Sequence, residues 1–334
     1  MQLVHRLLRH SALALARSVG GQPFAKHIRH IAAQHYPASE AGRAGEATRF
    51  HLRSLIFALP TRRWFELLES DERLRHLVRL NPHLAEKIHR PYLRCHYAPA
   101  RRLAALSTHY RFCLDHPRGD LLLDAAAGLS HPIGEIRGKQ DSVFRALITS
   151  EEQFMKEGEF VIQLHDDQGR LYSIAAAIVS GASGPVLSIG CMQGPGQGEN
   201  GSARIKAATK AMWGLRPKAA ILLVAQNLAE NFGLTGLVAV GNDHHIYRSW
   251  RKRRAIHTDY DALWADLGGT PRADKDFDFP VVPPVRPITD FPSGKRADAQ
   301  RRQTLREALA ASIRDHLTSA PEVVAEPAPS RQIA

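Results

Sequence analysis

Residues 191–202 read CMQGPGQGENGS, and a cationic run, ARIKAATKAMWGLRPK, follows at 203–218. Four glycines and a proline in so short a stretch cannot be the interior of a helix or of a paired strand. Glycine loses the most backbone freedom on ordering, and proline removes a donor. Such a loop, opening into a helix near Ser202, can turn backbone N–H groups and a helix dipole toward an anion. Gln193, Gly194, Gly196 and Gly198 would form the cradle, with Lys206 one turn into the helix. The stretch matches neither the phosphate loop that ends Gly-Lys-Ser/Thr nor a clean Gly-x-Gly-x-x-Gly after a strand, so it equally suits an ordinary loop. Lys206 and Lys210 lie four apart on one helix face, where like charges repel unless an anion sits between them. Arg216-Pro217-Lys218 opens the next helix, at the end where positive charge opposes the dipole. A neutralising partner would relieve both strains; a solvated basic face is the alternative.

A second constellation is GNDHHIYRSW at 241–250. Asn242, His244, His245 and Tyr247 gather where a strand is expected to end, which is where sites in α/β folds lie. Histidine titrates near neutrality, so His244 or His245 can serve as acid or base. The competing reading has Asn and Asp turning the chain while the tyrosine packs. Cys95-His96 with His109 and Cys113 fits no common zinc spacing, so no metal site is expected. Asp166-Asp167 reads as turn chemistry rather than as a catalytic pair.

The elements that must carry these residues follow from apolar spacing and chain punctuation. TRRWFELLESDERLRHLVRLNP has helical periodicity and stops at Asn81-Pro82, because the residue before proline is pushed out of the helical region. PARRLAALSTHYRFCLDH starts a helix with Pro99 in its first turn. Near residue 155 the character changes to apolar stretches separated by turns. Asp166–Gly169 joins two strands as a hairpin, and Ser180–Gly184 leads into a third. Helices at about 202–213 and 217–232 precede a short strand in TGLVAVGND.

The expected fold is therefore α+β: a helical N-terminal half, then an α/β half with a small mixed sheet. Its parts are a basic helical segment over 1–50, a helical region over 51–150 and an α/β domain with the glycine-rich loop over 151–270. A proline-rich linker at 271–295, extended rather than globular, leads to a basic helix at 296–318 and a disordered tail at 319–334. In the first segment, Val4, Leu8, Leu15 and Val19 share one helix side, with Arg6, Arg9 and Arg17 opposite. That helix packs on its own protein or rests on an anionic membrane surface.

In 334 residues, 44% hydrophobic, there is material for one large core or two ordinary ones. A net charge of +12 favours an anionic ligand or an anionic lipid surface, or else simply keeps the chain soluble. No specific nucleic-acid motif accompanies the charge. Three cysteines are too few for a disulfide framework and suit a reducing compartment, so the expected location is cytoplasmic. No run of 18 apolar residues predicts a transmembrane span.

Six motifs, in order, carry a resemblance: HRPYL at 89–93, STHYRF at 107–112, MQG at 192–194, TKAMWGLRPK at 209–218, GNDHHIY at 241–247 and DYDALWADLGG at 259–269. Together they resemble the VirK/YbjX family of bacterial proteins, from about residue 50 to 305. The resemblance implies a cell-envelope role, linked with virulence, outer-membrane protein display and resistance to cationic antimicrobial peptides. It hands over no agreed catalytic residues. One reading is an accessory or binding protein, in the cytoplasm or peripheral on the inner membrane, whose basic surface holds anionic lipid or an envelope client protein. From 185 onward the order of elements also looks like the acyl-CoA-dependent N-acyltransferase fold. There, amides at a strand–helix junction hold the cofactor's pyrophosphate and a tyrosine protonates the leaving thiolate. On this chain the junction is Leu215 to Ala220, with Gln193, Gly194, Lys206, Lys210, Arg216, Lys218 and Asn242 on the acyl-CoA side and Tyr247 with His245 as the catalytic pair. Pro217 and Ala219 stand where that fold's phosphate loop carries glycines.

Overall fold

Helices come first along the chain, and strands begin at His131. The computed structural model describes residues 2–36, 44–196, 199–248 and 258–319, in two compact units, Met1–Arg111 and Phe112–Ala334. Gly198, the segment 249–257 and the tail from 320 onward lie outside the described residues, as do the side chains of Arg6, Arg9, Val4, Leu8, Leu15 and Val19.

The first unit holds α1 (Gln2–His35), α2 (Ala44–Ile56), α3 (Ala58–Ser70), α4 (Glu72–Leu80), α5 (His83–Glu86) and most of α6 (Pro99–Asp115). Trp64 is completely buried; its indole N–H donates to the Leu84 carbonyl at 3.4 Å and its ring lies 5.6 Å from that of Tyr110. The single helix expected up to Asn81 is two. Asp71 is extended (φ −133°, ψ 144°) and caps α4, its carboxylate accepting the Arg73 amide at 2.8 Å. A short acidic side chain that can bond its own backbone competes with the helix it interrupts.

In the second unit, α7 (Gly119–Ala126) precedes β1 (His131–Arg137), β2 (Val143–Thr149), β3 (Phe160–Asp166), β4 (Gly169–Ser180) and β5 (Pro185–Gln193). After β5 come α8 (Glu199–Ala211), α9 (Pro217–Asn231), β6 (Leu237–Ala239), α10 (Tyr260–Asp266), β7 (Thr270–Pro271), β8 (Phe277–Phe279) and α11 (Ser293–Thr318). The fold is α+β. Among the described residues, eight strands form one mixed sheet in the order β1-β2-β3-β4-β5-β6-β8-β7. The first five make an antiparallel meander, and among these described strands only β5 and β6 run parallel. That connection passes through α9, which packs on β3 and β4.

Two expectations are corrected. The stretch 131–149, expected helical, supplies β1 and β2. Pro132 and Gly134 flank a register shift in β1, which breaks the alternation by which a strand is read from sequence. Edge strand β1 is covered by α11: a Cβ on Gly134 would lie 2.6 Å from the Ile313 side chain, and the Glu135 amide donates to the Ser312 hydroxyl at 3.0 Å. Covering an edge in this way blocks pairing with another chain. Second, the proline-rich stretch is not merely an extended connector, since its β8 pairs with β6 and β7 and buries Phe277 and Phe279. Among the described residues no helix is long and apolar enough to cross a membrane.

Candidate functional site

β5 and β6 share three registered pairs, Leu187 with Leu237 to Ile189 with Ala239, and a last bond from the Val240 amide to the Ile189 carbonyl at 2.9 Å. Beyond it β5 runs on to Gln193 paired with β4 alone. The carboxyl ends of neighbouring parallel strands, where the connection changes side, are where such sheets open a crevice.

A bulge sits at this point. Ala175 pairs with Cys191 and Ala176 with Ile189, leaving Gly190 as the extra residue of β5. A Cβ on Gly190 would lie 1.9 Å from the Glu157 carbonyl oxygen. Only glycine therefore lets the chain before β3 lie across β5, and bulges of this kind re-aim neighbouring side chains. Glu157 is buried and accepts a hydrogen bond from the Cys191 thiol, one of the causes that raise that thiol well above its ordinary pKa after burial itself. His245 is buried too; its Nε2 stands 3.2 Å from Glu157 Oε1, an ion-pair distance without hydrogen-bond alignment. Its Nδ1 accepts the Tyr247 amide at 3.4 Å.

Two phenols complete the cluster. The Tyr260 ring stacks on His245 at 4.5 Å and 18°, and the Tyr247 ring lies 5.9 Å from His245 with the Lys156 ammonium 5.7 Å above its own centre. Burial raises both phenols, Tyr260 further than Tyr247, and the nearby Glu157 and Cys191 add to it. Both therefore keep their protons at neutral pH.

Asn242 and His244 are structural. The Asn242 amide donates to Asp261 at 2.8 Å, its side-chain amide donates to Asp259 at 2.7 Å, and its oxygen accepts the Tyr260 amide at 2.9 Å. These bonds fasten the turn after β6 to the start of α10, where Asp259 also caps the helix. His244 Nδ1 stands 3.0 Å from Asp276, which also accepts the Gly241 amide at 3.0 Å.

At the other end of α10, Asp266 receives both helix-opening cations: Arg216 at 2.9 Å and Lys218 at 2.7 Å. The lysine bond, then the arginine, holds its carboxyl below the usual range. The charge that opposes the α9 dipole thus has its partner within the protein. The amides at that helix start are mostly taken, because Pro217 has none and the Ala219 and Ala220 amides both donate to the Arg216 carbonyl. An anion there would be held by side chains, with little help from the main chain.

Gly194 lies under the Tyr172 ring, where a Cβ would meet it at 2.7 Å, and Arg216 is near enough to pull the Tyr172 phenol down against the burial that raises it. Gln193, exposed, pairs with Ser173. The structure thus brings Gly194, Tyr172, Arg216, Lys218 and Asp266 together, and separately Glu157, Cys191, His245, Tyr247 and Tyr260; α10 joins the two groups. Lys206 and Lys210 stay outside: both are exposed on α8, and among the described residues neither has an ion-pair partner in either group. The first turn of α8 carries Glu199, which already satisfies that helix dipole. A cavity of about 500 Å³ in the same unit, beside Arg118, His131 and His316, contains none of these residues.

Glu157, Cys191, Tyr172, Tyr260 and Asp266 were not singled out by the sequence. Glu157 and Glu159 give a faint signal as two acids in an apolar strand approach, both buried.

The family profile described as "Protein of unknown function (DUF535)" matches residues 40–315. The chain belongs to the DUF535 family. It is similar to "Uncharacterized protein YbjX" of Escherichia coli (strain K12), 31% identical over 268 residues that cover 78% of this chain and 80% of the relative. The YbjX part of the expected kinship is borne out. No solved structure matches the chain. The DUF535 match spans both groups of the site, from Glu157 to Asp266.

Proposed function

We propose that the chain is an acyl-CoA-dependent N-acyltransferase-like enzyme that modifies an amine of the bacterial envelope. The observation that supports it is the single parallel pair β5/β6, crossed through α9, with Arg216 and Lys218 at the edge where the two strands part. The buried His245–Glu157 pair and two protonated phenols lie at the same edge. As a fit for acyl-CoA this edge is partial. Two cations suit its pyrophosphate, but the helix start offers few amides, so Arg216 and Lys218 would turn from Asp266 to the phosphates.

When bound, acyl-CoA supplies an acyl group activated as a thioester. His245 Nδ1, the nitrogen that accepts the Tyr247 amide, takes the proton that an attacking amine gives up, and Glu157, 3.2 Å from Nε2, steadies the resulting imidazolium. Tyr247 holds a proton on Oη at neutral pH and is the donor on the other side. Tyr260, stacked on His245, fixes the ring. Acylation removes the charge of an amine. That agrees with the roles the VirK/YbjX resemblance implies, in outer-membrane protein display and resistance to cationic peptides, for a cytoplasmic protein peripheral on the inner membrane.

Thermal unfolding with and without octanoyl-CoA tests this. A ligand that binds only the folded protein stabilises it by about 2.7 kcal/mol at a hundredfold excess over Kd. Arg216→Ala and Lys218→Ala should each weaken the shift, whereas Asp266→Asn, which removes their counter-charge, should strengthen it. No shift at millimolar octanoyl-CoA overturns the enzyme reading. An accessory protein holding an envelope client through exposed cations such as Lys206 and Lys210 would then account for the charge.

A further inference from the structure

Among the described residues seven large apolar side chains are exposed, and three of them, Leu52, Ile56 and Leu59, fall within eight residues at the corner between α2 and α3. Exposure rises toward the tip: 38% at Leu52, then 72% at Ile56 and 59% at Leu59. On α2, Arg49, Leu52, Arg53 and Ile56 stand at i, i+3, i+4 and i+7, one exposed face, while Ala47, Phe50, His51 and Ser54 are buried behind it. On α3 the exposed face reads Leu59, Arg62, Arg63 and Glu66 in the same spacing. The two apolar tip residues are thus backed one turn away by Arg53 on α2 and by Arg62 and Arg63 on α3, with Arg49 a further turn back.

The corner is fixed. Phe57 alone joins the two helices; its amide donates to Arg53 and its carbonyl accepts from Thr61, both at 2.9 Å. Its ring turns inward to lie 6.4 Å from His89, which also meets Phe50 at 5.3 Å. Ile56 and Leu59, on either side of Phe57, are therefore held outward by an anchored backbone.

We propose that this corner is a membrane-docking surface that inserts Ile56 and Leu59 into an anionic lipid bilayer. Apolar side chains at a tip with cations behind them match the layering of an acyl boundary beneath anionic headgroups. Charge decides against a second copy of the chain. Arg49, Arg53 and Arg63 have no ion-pair partner among the described residues, Arg62 pairs with Glu66 at 2.7 Å, and Glu46 and Glu69, the other exposed acids of the two helices, lie farther from the tip than Arg53, Arg62 and Arg63. Two such corners would repel. The inference does not rest on acyl transfer, because it is read from partition into vesicles and not from ligand binding.

The test is flotation of the full chain with phosphatidylglycerol–phosphatidylethanolamine vesicles and with pure phosphatidylcholine vesicles. The protein should float with the anionic vesicles, less so in high salt, and poorly with the neutral ones. Ile56→Asp with Leu59→Asp should lower the bound fraction about tenfold, and Arg49→Gln with Arg53→Gln by a similar factor. Leu80→Asp, at another exposed leucine on α4, should change nothing. Circular dichroism melts check that the variants fold. Absence of flotation, or equal flotation of the Ile56/Leu59 variant, overturns the proposal. Self-association of the unaltered chain that the Ile56/Leu59 variant abolishes, without vesicle binding, overturns it in favour of a dimer.

Discussion

Gly190→Ala should destabilise the second unit by about 3 kcal/mol, a large loss for one methyl group. The added Cβ would stand 1.9 Å from the Glu157 carbonyl oxygen and 3.0 Å from its Cα. Neither neighbour is the flexible end of a side chain, so relief requires the backbone of β5 or of the chain before β3 to move. The crossing is tight on its other side as well, since a Cβ on Gly158 would lie 2.5 Å from the Ala176 amide nitrogen. Any shift carries Glu157 away from Cys191 and His245, so the variant should lose the buried pair along with stability. Gly196→Ala is the control, because nothing lies within 4 Å of its added Cβ and the change should stay within about 0.5 kcal/mol. Urea denaturation of the two variants measures the difference. Equal midpoints would mean that the bulge at Gly190 is soft, and the account of how Glu157 is placed would fail.

The Gly190 bulge also shows where reading the sequence stops. Local chemistry announced much of the fold. Asp166–Gly169 does turn β3 into β4, Pro217 does open α9, and α6 does begin at Pro99, because turns and helix starts depend on residues a few positions apart. The parallel pairing of β5 with β6 was legible only as an order of elements. The strands β1 and β8 were hidden, since proline and glycine interrupt one and the other is three residues long.

The site divides in the same way. His245 and Tyr247 were found because they sit together in one motif. Their partners Glu157, Cys191 and Tyr260 come from a loop, a strand and a helix spread over some hundred positions, and no spacing rule connects them. Arg216 and Lys218 were visible as charge placed badly for a helix dipole. What answers them, Asp266, lies 50 residues from Arg216 and is joined only by the fold.

Acid should weaken the first unit through His89. This imidazole is buried, its Nε2 3.0 Å from the Thr61 hydroxyl, and burial drives its pKa from 6.5 down to about 3, with Arg53, Arg90 and Arg102 acting in the same direction and Glu86 against. At neutral pH the ring is neutral in both folded and unfolded chains. As the pH falls through 6.5 the unfolded chain takes up a proton that the folded one refuses until about pH 3. The unfolded state therefore binds more protons across that window, and stability rises with pH within it and is lost on acidification. From pH 7 to pH 5 the loss is about 2 kcal/mol, at about 1.4 kcal/mol for each pH unit below 6.5. His89→Gln keeps a donor for Thr61 and cannot titrate, so its unfolding free energy from urea denaturation should fall less over the same range by about 2 kcal/mol. If the variant and the unaltered chain lose stability in parallel between pH 7 and pH 5, His89 is not the group that the acid reaches.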